Sequence, residues 1–286
     1  MPGAPVTRLV LAGVMMLCLS APSPARGQQE LTLRFSVTPG QRVQRLFQVH
    51  TRIEARSDDG AVRVRETARL GAVREQAVVA PPTEQVLHVT FDSLLVRQRD
   101  GAGAWEEIRV DSVDGLWLQI ALDERLAVHR RIGPAAAAEG ALLQHLVTGF
   151  PGLVLPERPI RRSMHWELAR ELTAAEITGG ATPSPATAVL TVHLDILVDS
   201  LVARAEDTLA YLTVHGSIPV TRQRTADGVV TTYQGEVAGS LVWSSGWNTF
   251  VSAATRTSLR AAVQGPDVST GFTVETTLRQ AVVPSP

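Results

Sequence analysis

Residues 190–198, LTVHLDILV, alternate without a break, with Leu190, Val192, Leu194, Ile196 and Val198 on one side and Thr191, His193, Asp195 and Leu197 on the other. A period of two puts the two sets on opposite faces of a strand, so the stretch predicts a strand with one face in a core. Toward the C-terminus, segments 208–218, 229–243, 249–263 and 271–282 continue as strands, parted by Asp227-Gly228, Ser245-Gly246 and Gly265-Pro266-Asp267. Those turn signals predict an antiparallel meander. Runs of 11 to 15 residues are about twice the usual strand, which points to a strongly curved sheet. In 229–243 the residues Val229, Tyr233, Val237, Leu241 and Trp243 share a face with Gly235 and Gly239. Glycines there mark bends or the close approach of another group, so this face packs a helix or lines a ligand cavity.

The N-terminal half reads the same way. Leu31, Leu33, Phe35 and Val37 alternate, Pro39-Gly40 turns, and Val43, Arg45, Phe47, Val49, Thr51 and Ile53 alternate back to Asp58-Asp59-Gly60. Next, Val62, Val64, Ala68 and Leu70 form one face of a strand opposite Arg63, Arg65 and Arg69. After Pro81-Pro82, Leu87, Val89, Phe91 and Leu95 oppose His88, Thr90 and Asp92, and turns at 101–103, 114–115 and 123–124 separate three shorter strands ending at Ile132.

Residues 133–150, GPAAAAEGALLQHLVTGF, break the pattern. Pro134 suits a first helical turn, and Leu142, Leu143, Leu146, Val147 and Phe150 recur at spacings of three and four. One helix over 134–149 is predicted, with an apolar face and a face to water, stopped by Gly149 and Pro151. It joins two β-rich halves, 28–132 and 160–286, and would lay its stripe across their sheet. A faint internal repeat supports two related halves: HVTFDSLLVR at 88–97 resembles HLDILVDSLVAR at 193–204, with Asp92-Ser93 matching Asp199-Ser200.

Residues 1–27 have the pattern of a secretory signal peptide, with Arg8, an apolar run from Leu9 to Leu19, and small residues before a cut after Gly27, with Ala21 and Ala25 as competing sites. The run is shorter than the roughly 20 residues of a membrane-spanning helix. Leu17 before Cys18 does not fit a lipoprotein processing site. The remaining 259-residue chain is expected to be exported, periplasmic or extracellular, with no transmembrane segment, and it has no cysteine. Disulfides, thiol nucleophiles and cysteine metal sites are thereby excluded. All 27 basic residues are arginine, so Schiff-base and phosphate-loop lysine chemistry are excluded too. Two arginines leave with the leader, and 25 against 28 carboxylates give a net charge of −3, which gives no reason to expect nucleic acid as a partner.

No catalytic pattern emerges. The seven histidines lack ligand-pair spacing, and His193 and Asp195, although on one strand face, read as a solvent-facing pair. There is no Gly-x-Ser-x-Gly elbow, and Glu106-Glu107, Asp123-Glu124 and Asp58-Asp59 read as edge and turn residues. Five scattered tryptophans form no aromatic girdle of the kind outer-membrane barrels carry. No catalytic residue, metal ligand or cofactor is therefore expected.

The start LTLRFSVTPGQRVQRLFQV, the proline-flanked approach to Trp166 (Pro156, Pro159) and the late Tyr233-x-Gly235 with Gly239 and Trp243 resemble exported bacterial domains of unknown function. Some of those resemble the curved half-barrel of lipoprotein carrier proteins, about eleven strands lined by apolar side chains and closed by helices. The resemblance covers most of residues 30–282 and transfers no functional residue. It implies a mainly β fold, an antiparallel curved sheet or half-barrel of about 10–12 strands covered by one central amphipathic helix. The function it implies is non-catalytic binding of a lipid or other apolar ligand between sheet and helix. The candidate lining is Leu142, Leu146 and Phe150 on the helix, with Leu190, Val192, Leu194, Ile196, Tyr233, Val237, Leu241 and Trp243 on the sheet. An interior with unfilled volume is expected on that reading. The alternative is an envelope module that docks another protein through a sheet edge or the Arg63, Arg65 and Arg69 strand.

Overall fold

The computed structural model describes residues 30–80, 84–108, 116–134, 137–180, 188–225, 228–266 and 269–283. The leader with Cys18, the turns at Pro81-Pro82 and Asp114-Gly115, and most of the loop expected at 178–186 lie outside these residues.

The first half supplies β1 (Arg42–Ser57), β2 (Val62–Val78), β3 (Gln85–Asp100), β4 (Glu106–Ile108), β5 (Trp117–Leu122) and β6 (Val128–Ile132). The helix α1 (Ala137–Thr148) follows, then β7 (His165–Thr173) and a short α2 (Ala174–Thr178). The strands β8 (Val189–Arg204), β9 (Asp207–Arg224), β10 (Val230–Ser244), β11 (Thr249–Gln264) and β12 (Ser269–Val283) complete the chain. All twelve strands form one antiparallel sheet in the order β6-β5-β3-β2-β1-β12-β11-β10-β9-β8-β7, with β4 on β3. Each half is a meander, and the β1–β12 pairing, from Gln44↔Val283 to Ser57↔Thr270, welds the first long strand to the last.

One face is buried across the sheet. On β8 the alternation is as read, with Leu190, Val192, Leu194, Ile196 and Val198 at 2% exposure or less. Small residues let this face curve. Phe47 packs over Gly71, where a Cβ would lie 2.9 Å from the Phe47 ring. At Gly235 a Cβ would collide with the Ser258 carbonyl oxygen, and at Gly239 one would lie 3.0 Å from that of Ala254, so the close approach these glycines allow is that of the neighbouring β11 backbone.

Three readings need correction. The alternating segment 31–37 is not a ladder strand: its one bridge is Leu31↔Ile160, and Leu33 and Phe35 tuck fully into the core. On β2 the phase is inverted. Direct pairing with Phe47, Val49 and Thr51 puts Gly71, Arg69 and Thr67 on the concave side, while Val62 and Leu70 stay half exposed on the convex side. On β3 the register shifts at Asp92, so Leu94, not Leu95, joins Phe91 on the inner face. The Asp-Ser repeat has a local cause: both Asp92 and Asp199 are the extra residue of a β-bulge, which re-aims the chain by one position. The two strands hold different places, β3 third from its edge and β8 second from the other.

The helix also differs from expectation. It begins at Ala137, is followed by Gly149 in the left-handed region (φ +73), and is buried on every side from Gly140 to Phe150. The expected wet face is absent because α1 lies inside the curve of the sheet. Nor is it the only helix. Thr173 and Glu176 form a capping box that starts α2, and Gly179 ends it in the left-handed region.

Candidate functional site

The concave face and α1 bring together all eleven candidate side chains. They belong to one contiguous apolar cluster, and none is more than 2% exposed. Side chains around a void large enough for water would keep accessible area, so this interior is packed and the expected unfilled volume is not present with α1 seated. Leu142, Leu143, Leu146 and Val147 take the space a ligand would need.

The packing is apolar but imperfectly matched. On α1 and the concave face of the sheet, four side chains keep buried polar atoms without a hydrogen-bond partner among the described residues: Glu139 Oε2, His145 Nδ1, Trp243 Nε1, and both Oε1 and Nε2 of Gln280. His145 Nε2 lies 3.2 Å from Thr255 Oγ1 on β11, and burial pushes its pKa down to about 3. Its ring meets Phe150 edge-on at 5.8 Å. Trp243 stacks edge-on against Phe250 at 5.1 Å. Burial raises the Tyr233 phenol above its ordinary value, and a hydrogen bond with Thr231 opposes the rise.

Beside this cluster Arg45 is wholly buried on the concave face. Its guanidinium donates to both oxygens of Glu75, to the Phe250 carbonyl and to Thr249 Oγ1. All three nitrogens are engaged, and the pair is electrically neutral as a unit. Arg69, on the concave side of β2, donates to the Gly179 carbonyl at 3.4 Å; burial lowers its pKa and nearby Glu139 opposes the shift.

The sheet does not close on itself. Its free edges β6 and β7 border a cleft of about 460 Å³ floored by α1 residues Gln144 and Thr148. Arg131 on β6 reaches across to Gln144 Oε1 and Glu176 Oε1, each at 2.8 Å. Leu155 N–H donates to the Arg125 carbonyl and Trp166 Nε1 to the Val154 carbonyl, so segment 150–155 tethers the two edges.

On the convex face, Glu167, Asp195 and His215 are direct cross-strand neighbours on β7, β8 and β9, with His193 beside them. Asp195 lies 3.7 Å from His165 Nδ1, and both are exposed. Among the described residues no group of three or more His, Cys, Asp or Glu side chains is arranged to hold a metal. No described helix is long and apolar enough to cross a membrane.

Sequence reading missed Arg45, Glu75, His145 and Gln280 as site residues. A signal existed for two of them: Arg45 and Gln280 alternate in phase with Val43 and Phe47, and with Leu278 and Val282. A polar residue in phase with a core stripe is a buried polar residue.

No known protein-family model and no curated protein matches the chain. Among solved structures, one of lipovitellin, described for its lipid–protein interactions, shares 8% identity over 88% of this chain with a TM-score of 0.48. This chain spans only 26% of that one. The β domain of the Bordetella autotransporter BrkA shares 9% identity over 84% of this chain and 99% of its own, with a TM-score of 0.21. Neither score reaches 0.5, and no residue role is carried over from either.

Proposed function

We propose that the chain is an exported, non-catalytic binding module that takes a lipid or other apolar ligand between the concave sheet face and α1, the helix acting as a plug that the ligand displaces. One observation carries this reading: buried polar atoms without partners among the described residues stand both on α1 (Glu139, His145) and on the concave face of the sheet (Trp243, Gln280). Each buried unsatisfied group costs about 1–3 kcal/mol, so the plugged state is held less tightly than its apolar area implies. Tyr233, Val237, Leu241 and the β8 stripe offer a continuous apolar wall to whatever replaces the helix.

Native mass spectrometry of the mature protein purified from its own host, followed by solvent extraction, tests the proposal. A reproducible added mass that extracts as lipid supports it. A bare polypeptide mass counts against it and favours a second reading, an envelope interaction module. That reading rests on β6 and β7 being the end strands of the sheet among the described residues, since an edge strand offers unpaired backbone donors and acceptors to strand addition.

A further inference from the structure

We infer that the cleft between the edge strands β6 and β7 takes the head of an anionic amphiphile, a carboxylate or phosphate held between Arg131 and Arg170 while the chain runs onto the concave face. This deepens the ligand reading above and rests on it.

The two arginines enter the cleft of about 460 Å³ from opposite edges. On β6, Arg131 is the direct partner of Ile120, which is wholly buried in the core, so the Arg131 side chain starts on the concave side. On β7, Arg170 is the direct partner of buried Val192 and starts on the concave side in the same way. The foot of Arg170 packs at Gly152, where an added Cβ would lie 3.4 Å from that of Arg170, and Gly152 lines the cleft too.

The cleft already holds one carboxylate. Arg131 Nη1 lies 2.8 Å from Glu176 Oε1 and 2.8 Å from Gln144 Oε1 on α1. Its Nε and Nη2 form an edge that can grip a carboxylate or phosphate through two parallel bonds. That edge makes no hydrogen bond among the described residues, and Arg170 makes neither a hydrogen bond nor an ion pair there. The other charges of the lining are spoken for. Arg130 pairs with Glu84 at 3.6 Å and His129 faces Asp123 at 3.5 Å, while Glu171, opposite Thr191, starts on the outer face. Arg69 and Glu139, which oppose each other near the start of α1, line no part of this cleft. The unmatched charge inside it is that of Arg170.

The apolar part of the lining leads inward. Leu126, Leu153 and Leu172 border the cleft and belong to the same core cluster as Leu142 and Leu146 of the helix. When α1 gives way, Arg131 loses the Gln144 oxygen, and an oxygen of the ligand replaces it. A charged head does this with the stronger bond, since an ionised acceptor roughly doubles the strength of the contact.

The test is equilibrium binding of radiolabelled oleate, monoolein and acetate to the delipidated mature chain at mildly alkaline pH, below micelle-forming concentrations, alongside Arg170→Gln, which removes no bond made in the structure. Oleate and monoolein share a chain and differ in charge. Oleate should bind at least about tenfold tighter than monoolein, acetate far more weakly than either, and in Arg170→Gln oleate should fall to about the level of monoolein. Equal affinity for oleate and monoolein in the parent, or a preference that survives Arg170→Gln, overturns the head-group inference and leaves the ligand reading standing. Acetate binding as tightly as oleate would reveal an anion site that takes no chain, and overturns the inference as well. Failure of both lipids to bind overturns the inference and the ligand reading together.

Discussion

Replacing Gln280 with methionine should make the protein more stable, the reverse of the usual outcome for a change at a residue only 4% exposed. Both ends of the Gln280 amide are buried without partners among the described residues. Methionine has a similar unbranched length and fills irregular gaps without a strong hydrogen-bonding demand. The native state is then relieved of the desolvation of an unpaired amide, about 1–3 kcal/mol, while the packing against Phe47 and Ala253 is largely kept. A gain of about 2 kcal/mol corresponds to roughly 4–8 °C in melting temperature for a domain of this size. Urea denaturation should show a higher midpoint with an unchanged slope, which places the effect on stability and not on the compactness of the unfolded chain. A loss of 1 kcal/mol or more would show that the amide is satisfied in the native protein, and the plugged state would lose one of the unpaired groups said to loosen it.

His145 should make the protein acid-labile. Its folded pKa of about 3 lies below its ordinary 6.5, so the stability it contributes is complete above about pH 6.5 and is lost as the pH falls toward 3. The slope is about 1.4 kcal/mol per unit, giving about 2 kcal/mol by pH 5. Urea midpoints at pH 7.5 and 5.0 should differ less in His145→Leu than in the parent, and an equal difference would refute the burial of a neutral ring. Arg45→Met should cost about 3–5 kcal/mol by leaving Glu75 buried and unpaired, and Arg45→Met with Glu75→Leu should recover most of it; a double variant as unstable as the single one would refute this. Gly71→Ala should destabilise by about 1–3 kcal/mol, because the new methyl would press on the Phe47 ring and the Ser93 carbonyl; thermal melts showing no loss would mean the strands part there at little cost.

The sheet was legible wherever hydrophobic alternation was uninterrupted. Strands β8 to β12 follow from period two and their turns, and the helix between the halves follows from leucine spacing. The misreadings trace to features that a single strand cannot display. Val62 and Leu70 look like a core face, but pairing with β1 sends the opposite residues inward, and register is a property of two strands. The bulge at Asp92 is visible as a phase change only once its partner is known. The depth of α1 was hidden because Gln144, His145 and Thr148 read as a wet face, whereas the curvature of the sheet surrounds them. The capping box of α2, Thr173 to Glu176, was legible and passed over. Of the site, the apolar wall was readable from periodicity. The orphaned atoms were not, since they depend on which side chains meet across the fold.

Hydrogen exchange across α1 tests the plug most directly. Amides of residues 140–150 should exchange through an opening much cheaper than global unfolding, while those of β10 and β11 stay protected. A lipid probe such as monoolein should then accelerate exchange in α1 and leave the strands unchanged. If α1 exchanges only as the whole sheet unfolds, and monoolein changes nothing, the helix is a permanent part of the core and the ligand reading is wrong.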